Sequence, residues 1–386
     1  MLPEDDSTSR SRLRVLVASD SFKGSLSAAS ACAAIAAALR RRLPDAEVRE
    51  FPMADGGEGT AEILVRACGG RMVDAPDVSG PLPSQRLTAA YGWLPASATA
   101  VIEMARASGL PLVPHDLRNP LITSTFGTGQ LIRAAIEQGA GRILLTLGGS
   151  ATVDGGVGAA QALGWRFLDE HGREVPPGGG SLEAIRAILP PDRTGWPAVD
   201  ALCDVTNPLC GPNGAAAVYG PQKGATPETV SLLDAGLGNL AAVVRRTLGM
   251  DVLELPGGGA AGGFGAGAAA FLGARLCPGV ATVAEVVGLG EALREADWVV
   301  TGEGCLDAQS FQGKVVCGVR NLARAAGVRV AVVAGRVRLS QAEWQKQGIA
   351  HAVAAAPEKA SEAEALRQAQ EWVGQAAARL ADRLAG

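Results

Sequence analysis

Short apolar runs that end in glycine-rich, charged turns recur along this chain of 386 residues. The first run, residues 13–19 (LRVLVAS), is rich in valine, as are strands buried on both faces of a sheet. An alanine-rich segment follows and ends in three arginines at 40–42, which suit the negative end of a helix dipole. The pattern therefore predicts a strand and then a helix that begins near Ser25 or Ser27.

The same alternation extends to residue 77 and returns after residue 285. It predicts further strands at 47–53, 72–75, 297–301, 329–334 and 350–355, and helices at 61–68, 315–326, 340–347 and 361–384. Strands that alternate with helices in this way form parallel sheets with right-handed crossovers. We therefore predict an α/β protein with a doubly wound parallel sheet of six strands, similar to flavodoxin or Rossmann folds.

The middle of the chain predicts a second, inserted α/β domain, because prolines at 76, 81 and 83 interrupt the alternation and glycine-rich turns follow. The expected domains are a discontinuous one of residues 13–77 plus 286–386 and an inserted one of residues 78–285. Residues 1–12 are polar and charged and lack the central apolar stretch of a signal peptide. We expect them to form a disordered tail rather than a signal peptide.

Composition narrows the classes of partner. The formal net charge of -4 gives no basic field for nucleic acid or an anionic membrane, and no apolar run reaches the roughly 18 residues that span a bilayer. The seven cysteines include no C-x-x-C pair, and the three histidines are far apart, so neither a disulfide framework nor a zinc site is indicated. We expect a cytoplasmic protein; a homodimer is left open.

The stretch at 298–314 (WVVTGEGCLDAQSFQGK) carries the densest chemistry. It predicts a buried strand, a sharp turn at 302–304, and then Asp307 and Lys314 within one helix length. Carboxylates and a lysine at the carboxyl edge of a parallel sheet suit a phosphate-bearing ligand. A strand-to-helix turn with a surface salt bridge is the structural alternative. If the first strand neighbours this one, Asp20, Lys23 and the carboxylates of this stretch share one crevice.

Other candidate groups share a position in or beside glycine-rich turns. With those of the stretch above they are Asp20, Ser21, Lys23, Asp55, Gly56, Gly57, Glu58, Gly127, Thr128, Gly148, Gly149, Ser150, Asp154, Asp204, Asn207, Lys223, Gly302, Glu303, Asp307 and Lys314. Carboxylates can hold Mg²⁺, while lysines and helix N-termini can hold phosphates, which together are the components of phosphoryl transfer. No histidine–nucleophile pair points to hydrolysis.

Structural alternatives stay open for several of these residues. Asp20 is equally consistent with a helix cap, and Asp154 with a carboxylate that holds a glycine turn. Lys223 is equally consistent with an exposed turn lysine. Ser150 and Thr152 fit either a phosphate contact or a cap on the following helix.

Familiar nucleotide motifs are absent from the sequence or weak. The chain contains neither a Walker A motif nor the protein-kinase signature set. Gly257, Gly259 and Gly262 match the spacing of a dinucleotide fingerprint, but they lie in a run of glycines where chance matches are common. An NAD(P)-dependent oxidoreductase is therefore the first alternative function.

Seven blocks, taken together and in order, resemble the bacterial glycerate kinase family of the glycerate 2-kinase type over roughly 13–385. They are SDSFKGSLSA (19–28), PMADGGEGT (52–60), STFGTGQLI (124–132), GGSATVDGG (148–156), CDVTNPLCGPNGAAAVYGPQKGAT (203–226), GGGAAGGFGAG (257–267) and TGEGCLDAQSFQGK (301–314). The resemblance implies ATP- and Mg²⁺-dependent phosphorylation of D-glycerate, with 2-phosphoglycerate favoured and 3-phosphoglycerate also open. It implies a two-domain α/β fold with an inserted domain.

On this interpretation we expect Lys23, Asp55, Glu303 and Asp307 to be catalytic in an interdomain cleft. Lys23 would neutralise anionic charge. Glu303 and Asp307, with Asp55, would hold Mg²⁺ or accept the proton of the attacking hydroxyl. The remaining candidates would bind substrate or nucleotide.

Four positions depart from the family pattern, namely Ser19, Gln130, Val153 and Cys305. They spare the carboxylates and lysines named as catalytic. This retention favours an active enzyme over the second alternative, a non-catalytic sensor of sugar acids on a kinase fold.

Overall fold

The computed structural model describes residues 12–192, 195–311, 313–357 and 360–385. The predicted tail at 1–12 lies outside these residues except for Arg12. The strands are β1 (Arg14–Ser19), β2 (Glu47–Glu50), β3 (Arg71–Ser79), β4 (Arg86–Leu94), β5 (Thr99–Glu103), β6 (Arg142–Thr146), β7 (Arg166–Leu168), β8 (Ala187–Leu189), β9 (Ala198–Leu202), β10 (Arg275–Cys277), β11 (Trp298–Leu306), β12 (Arg329–Val337) and β13 (His351–Ala354).

The helices follow the same order along the chain. They are α1 (Ala28–Arg42), α2 (Thr60–Ala67), α3 (Ala105–Ser108), α4 (Phe126–Glu137), α5 (Val157–Ala162), α6 (Ala215–Tyr219), α7 (Pro227–Leu248), α8 (Ala260–Leu272), α9 (Gly279–Val286), α10 (Leu289–Leu293), α11 (Val315–Ala325), α12 (Gln341–Lys346) and α13 (Glu362–Leu384). None of the described helices combines the length and the apolarity that crossing a bilayer requires.

Two compact units make up the chain. One consists of Met1–Met53 with Gly288–Gly386, and the other of Ala54–Val287. The first boundary therefore falls earlier than the predicted entry into an inserted domain at residue 78. The reason is that α2 packs on β3, β4 and β5, which belong to the sheet of the second unit.

The first unit contains a five-stranded sheet in the order β13-β12-β11-β1-β2, with all neighbours parallel. Numbered within the unit, this is the order 2-1-3-4-5 of flavodoxin-like sheets, and the strand order reverses between β1 and β11. Helices α1 and α13 pack against one core cluster, while α11 contacts β1, β11 and β12 outside it. The predicted doubly wound parallel sheet is confirmed.

The strand predicted at 72–75 was assigned to the wrong sheet. It lies within β3, which pairs antiparallel with β4 in the second unit, so the first sheet has five strands rather than six. Strand β4 was not predicted from the sequence. An antiparallel pair at a sheet edge needs no helix between its strands, so the alternation of strands and helices that guided the prediction does not detect it.

The sharp turn predicted at 302–304 is also wrong. Strand β11 continues through the GEG motif to Leu306 and stays in register with β12. Gly302 serves close packing here, because a Cβ atom on it would lie 2.4 Å from the carbonyl oxygen of Val333. Glycine in a strand allows such an approach of two backbones as readily as it allows a turn.

The second unit contains a six-stranded mixed sheet in the order β10-β9-β6-β5-β4-β3. Strands β5, β6, β9 and β10 are parallel, and β3, β4 and β5 are joined antiparallel. The 22-residue helix α7 was not predicted. Gly236 breaks its apolar pattern, and this glycine lets α7 approach Leu182 closely.

Candidate functional site

At the carboxyl edge of the first sheet, the end of β1 lies beside the GEG motif within β11. Ser19 is in register with Gly302, and the N–H of Asp20 donates to the carbonyl oxygen of Gly302 at 2.9 Å. The condition set for a shared crevice, that these two strands are neighbours, is therefore met. Ligands in sheets of this kind bind where the strand order reverses, which is this point.

Glu303 is a buried carboxyl group at this edge, with 7% of the residue exposed. Its Oε1 has no hydrogen-bond partner within the described residues. Burial raises the pKa of Glu303, the neighbouring charge of Asp307 adds to this, and Ser310 and Lys314 oppose it. A buried carboxylate whose pKa is raised is a candidate proton acceptor.

The segment after β11 orders further polar groups around Glu303. The hydroxyl oxygen of the buried Ser310 accepts from the N–H of Asp307 at 3.0 Å, and Asp307 Oδ1 accepts from Gln309 N at 2.9 Å. Lys314 is the residue that precedes the first turn of α11. The positive charge of Lys314 and the positive end of the α11 dipole both favour an anion at this place.

Lys23 lies in a short loop between β1 and α1. Phe22 is buried and forms a backbone bridge with Leu26, which leaves the side chain of Lys23 exposed. The N–H of Ser21 donates to Asp20 Oδ1 at 2.6 Å. The loop therefore presents a lysine beside the carboxyl end of β1.

The ADGGEGT turn lies over the carboxyl edge of the second sheet. A Cβ atom on Gly56, whose φ is +83°, would be 2.9 Å from Leu202 Cβ at the end of β9. A Cβ atom on Gly148, which follows β6, would be 2.8 Å from Gly57 Cα. This close approach places Asp55 beside the ends of β6 and β9, and Glu58 is exposed on the same turn.

Asp204 follows β9 and is close enough to Asp55 for the two charges to interact. Its Oδ1 accepts from Gly279 N at 3.0 Å, at the start of α9. Burial raises the pKa of Asp204 to about 7, and the charge of Asp55 contributes to the shift. Within the described ranges no three His, Cys, Asp or Glu side chains form a group that could hold a metal ion. A pair of carboxylates is what this edge offers.

We expect Asp204 to make stability depend on pH. Because its folded pKa of about 7 lies above the ordinary 3.8, stability present below pH about 4 is lost as the pH rises towards 7. The denaturant midpoint of the wild type, relative to that of Asp204→Asn, should therefore fall as the pH rises from about 4 to about 7 and then level off. Urea denaturation at several pH values measures this difference. A difference that does not change with pH would contradict the assignment.

Lys223 is not the exposed turn lysine that the sequence left open, since 2% of it is exposed. Its Nζ donates to Ser150 Oγ and to the carbonyl oxygen of Thr152, both at 2.7 Å. Burial lowers the pKa of Lys223 to about 7, although the charge of Asp154 opposes the shift. Lys223 and Ser150 thus form one buried unit behind the turn that follows β6.

Asp154 is fully buried and serves the backbone. Its two oxygens accept from the N–H groups of Thr125, Gly156 and Gly158 and from the hydroxyl of Thr125. These bonds hold the starts of α4 and α5. Burial raises the pKa of Asp154. The geometry therefore supports the structural alternative for Asp154, a carboxylate that holds a glycine turn.

Three other candidates lie in packing contacts. Thr128 is fully buried and its hydroxyl pairs with that of Ser108 at 2.8 Å. A Cβ atom on Gly127 would lie 1.8 Å from the carbonyl oxygen of Ser79. The side chain of Asn207 bonds to Tyr219 and to the backbone of its own loop. The structure does not bring these three to either sheet edge as exposed groups.

Glu103 was not among the candidate residues predicted from the sequence. It ends β5 with 1% of the residue exposed, and its Oε1 accepts from Ala61 N at 2.7 Å, which anchors α2 and the turn that carries Asp55. Its Oε2 accepts from Arg106 Nε at 2.8 Å. A lone carboxylate in the apolar run AVIEMA is the signal that would have found it.

The residues that depart from the family pattern differ in how deeply they are buried. Val153 is fully buried in the core of the second unit, and Gln130 Oε1 accepts from Ser79 N at 2.8 Å. Val153 therefore serves packing, and Gln130 holds the backbone at the end of β3. Cys305 is half-buried beside Glu303, and burial raises the pKa of its thiol.

Comparison with known proteins identifies the family. The sequence model of the glycerate kinase family matches residues 15–385. A glycerate kinase of Halalkalibacterium halodurans is 44% identical over 371 residues, which cover 95% of this chain and 97% of that protein. The glycerate 2-kinase of Escherichia coli is 45% identical over 316 residues, 81% of this chain and 82% of that protein. The chain belongs to the glycerate kinase family, and it is an enzyme of the kinase class.

A solved structure agrees in fold. The crystal structure of a protein assigned as glycerate kinase 2 from Salmonella typhimurium superposes with a TM-score of 0.84 at 42% identity, covering 97% of this chain and 98% of that one. The oxidoreductase alternative loses its support as well. No strand leads into Gly257 in the described chain, and a Cβ atom on Gly262 would lie 1.9 Å from the carbonyl oxygen of Thr152. These glycines serve packing.

Proposed function

We propose that this enzyme transfers the terminal phosphate of ATP to the 2-hydroxyl of D-glycerate. Family membership and the name of the Escherichia coli relative support the substrate and the position. The observation in the structure that carries the proposal is Glu303, a buried carboxyl group with a raised pKa where the strand order reverses. Phosphoryl transfer relies mainly on positioning and charge neutralisation, which the surrounding groups can supply.

The first unit would supply the proton acceptor and cationic groups. Glu303 would take the proton of the attacking hydroxyl, and its unpartnered Oε1 is available for that bond. Lys23 and Lys314, with the start of α11, would neutralise anionic oxygens of the reacting groups. Asp307 is held by Ser310 next to Glu303 and helps to keep the pKa of that carboxyl raised.

Mg²⁺ fits the carboxylates of the second unit. This ion commonly takes one or two carboxylates and fills its other positions with phosphates and water. Asp55 and Asp204 are such a pair, and their mutual repulsion is relieved by a divalent cation. When bound, the ion would neutralise charge on the phosphates of ATP. The assignment of Glu303 and Asp307 as metal ligands stays a prediction.

The test is to incubate the purified chain with D-glycerate, ATP and MgCl₂ and to record a proton-coupled phosphorus NMR spectrum of the product. We expect a doublet, because the phosphate of 2-phosphoglycerate couples to one methine proton. A triplet, from the two methylene protons of 3-phosphoglycerate, would contradict the 2-position. Absence of ADP formation, with an EDTA-treated sample as the baseline, would contradict the activity.

A further inference from the structure

Lys223 is a buried lysine without a salt bridge among the described residues, although the charge of the buried Asp154 acts on it. Burying an ammonium group away from water is costly, and a neutral side chain would connect two turns more cheaply. Its two bonds reach Ser150 and Thr152, more than 70 residues away in sequence, in the turn between β6 and α5. That turn stands at the carboxyl edge of the second sheet, where ligands of such sheets bind.

The bond between these side chains fixes the direction of the Ser150 hydroxyl. Because Lys223 Nζ donates to Ser150 Oγ, the hydrogen of the hydroxyl must point elsewhere. No protein group in the described chain accepts that hydrogen, although 7% of Ser150 is exposed. A buried donor without an acceptor is costly, so an acceptor from outside the chain would satisfy it.

The backbone of the same turn adds two more donors. The bridge between Gly109 and Ser150 uses the carbonyl oxygen of Gly149 and the N–H of Ala151, so the N–H of Ser150 points away from it. Neither Gly149 nor Ser150 has a protein acceptor for its N–H in the part of the chain that the structure describes. Gly149 is exposed and has φ of +76°. Successive N–H groups in such a turn form a concave site for an anion.

We propose that residues 148–150 hold an anionic oxygen of a substrate through the Ser150 hydroxyl and the neighbouring N–H groups, and that Lys223 is the positioning residue that orients Ser150. The oxygen belongs to the glycerate carboxylate or to a phosphate of ATP. Lys223 itself does not touch the ligand in this arrangement. The inference rests on the proposed function, which supplies the two candidate ligands.

The test uses Ser150→Ala, Lys223→Met and the double variant, with KM measured separately for D-glycerate and for ATP. Each single variant should raise KM for one of the two substrates by about 10- to 100-fold, the loss of a hydrogen bond to a charged group. The substrate affected names the source of the anionic oxygen. The double variant should equal the more damaging single variant, because Lys223 acts through Ser150.

Exposed residues supply the matched controls. Ser231→Ala on α7 and Lys346→Met on α12 should leave both KM values within about twofold. If Lys223→Met fails to fold, Ser150→Ala alone still decides, since it removes one oxygen. Unchanged KM values in Ser150→Ala, or an equal rise for both substrates, would overturn the proposal.

Equilibrium binding separates this proposal from the kinase proposal. Isothermal titration of ATP alone and of D-glycerate alone requires no turnover. A wild type that forms no ADP but binds one of these ligands about 10-fold or more tightly than Ser150→Ala does would contradict the kinase activity and support the anion site. If the wild type forms ADP and both ligands bind Ser150→Ala as tightly as they bind the wild type, the kinase activity is supported and the anion site is contradicted.

Discussion

Replacing Glu303 by Gln is expected to lower kcat by about 10²- to 10⁴-fold, the usual contribution of a general base. The change keeps the size and shape of the side chain and removes only its ability to accept a proton. KM values for D-glycerate and ATP should change much less, because the hydroxyl proton is transferred in the transition state and not in the ground state. Steady-state kinetics with D-glycerate measure both quantities.

The same variant should be at least as stable as the wild type. Burial raises the pKa of Glu303, so the folded chain tolerates the carboxylate less well than the unfolded chain does. Stability that is present below the ordinary pKa of 4.5 is therefore lost as the pH rises to the pKa of the folded state. Gln does not titrate, so the variant lacks this dependence on pH. Thermal unfolding at pH 5 and pH 8 measures it.

Glu295→Gln is the matched control, because 70% of that side chain is exposed. It should change kcat and the unfolding temperature very little. A Glu303→Gln enzyme with near-normal kcat would remove Glu303 as the proton acceptor. An inactive variant that is also strongly destabilised would point to a structural role.

The alternation of strands and helices predicted all five strands of the first sheet because each run is local, but it added the strand at 72–75, which belongs to the second sheet. Residues 13–19 and 329–334 are apolar enough to be buried on both faces. The helices between the strands are long enough to show the helical periodicity of hydrophobic positions. That the first strand pairs with β11 was a conditional expectation, since pairing is non-local. The register of Ser19 with Gly302 now fulfils that condition.

Glycine limited what the sequence could reveal. Gly302 and Gly56 stand in similar charged motifs, but Gly302 is extended in β11 while Gly56 has φ of +83°. A glycine marks either a special backbone angle or a close approach, and the sequence alone does not separate them. The turn predicted in the GEG motif was therefore wrong, while the ADGGEGT turn was predicted correctly.

Burial of polar groups was the other limit. Lys223 lies in a turn with Pro221 and Gly224, a composition typical of exposed loops. Its partner Ser150 is 73 residues earlier in the chain, so no local pattern marks Lys223 as buried. The carboxylates of the site were selected by type and motif, whereas their pKa shifts depend on neighbours that only the fold supplies.

Replacing Asp154 by Ala is expected to lower the free energy of unfolding by about 3 to 5 kcal/mol, the second large effect. The substitution leaves the buried N–H groups of Thr125, Gly156 and Gly158 without their acceptor, and each unsatisfied group costs about 1 to 3 kcal/mol. Because these groups begin α4 and α5, both helix starts lose their anchor. Chemical denaturation followed by circular dichroism measures the loss.

Two further variants separate this role from ligand binding. Asp154→Asn keeps one carbonyl oxygen as an acceptor and should lose less stability than Asp154→Ala. The exposed Asp116→Ala should stay within about 0.5 kcal/mol of the wild type. If Asp154 instead binds a substrate, Asp154→Ala would keep its stability and lose affinity. The hydrogen bonds of Asp154 all run to the protein backbone and to Thr125, so we expect the loss of stability to dominate.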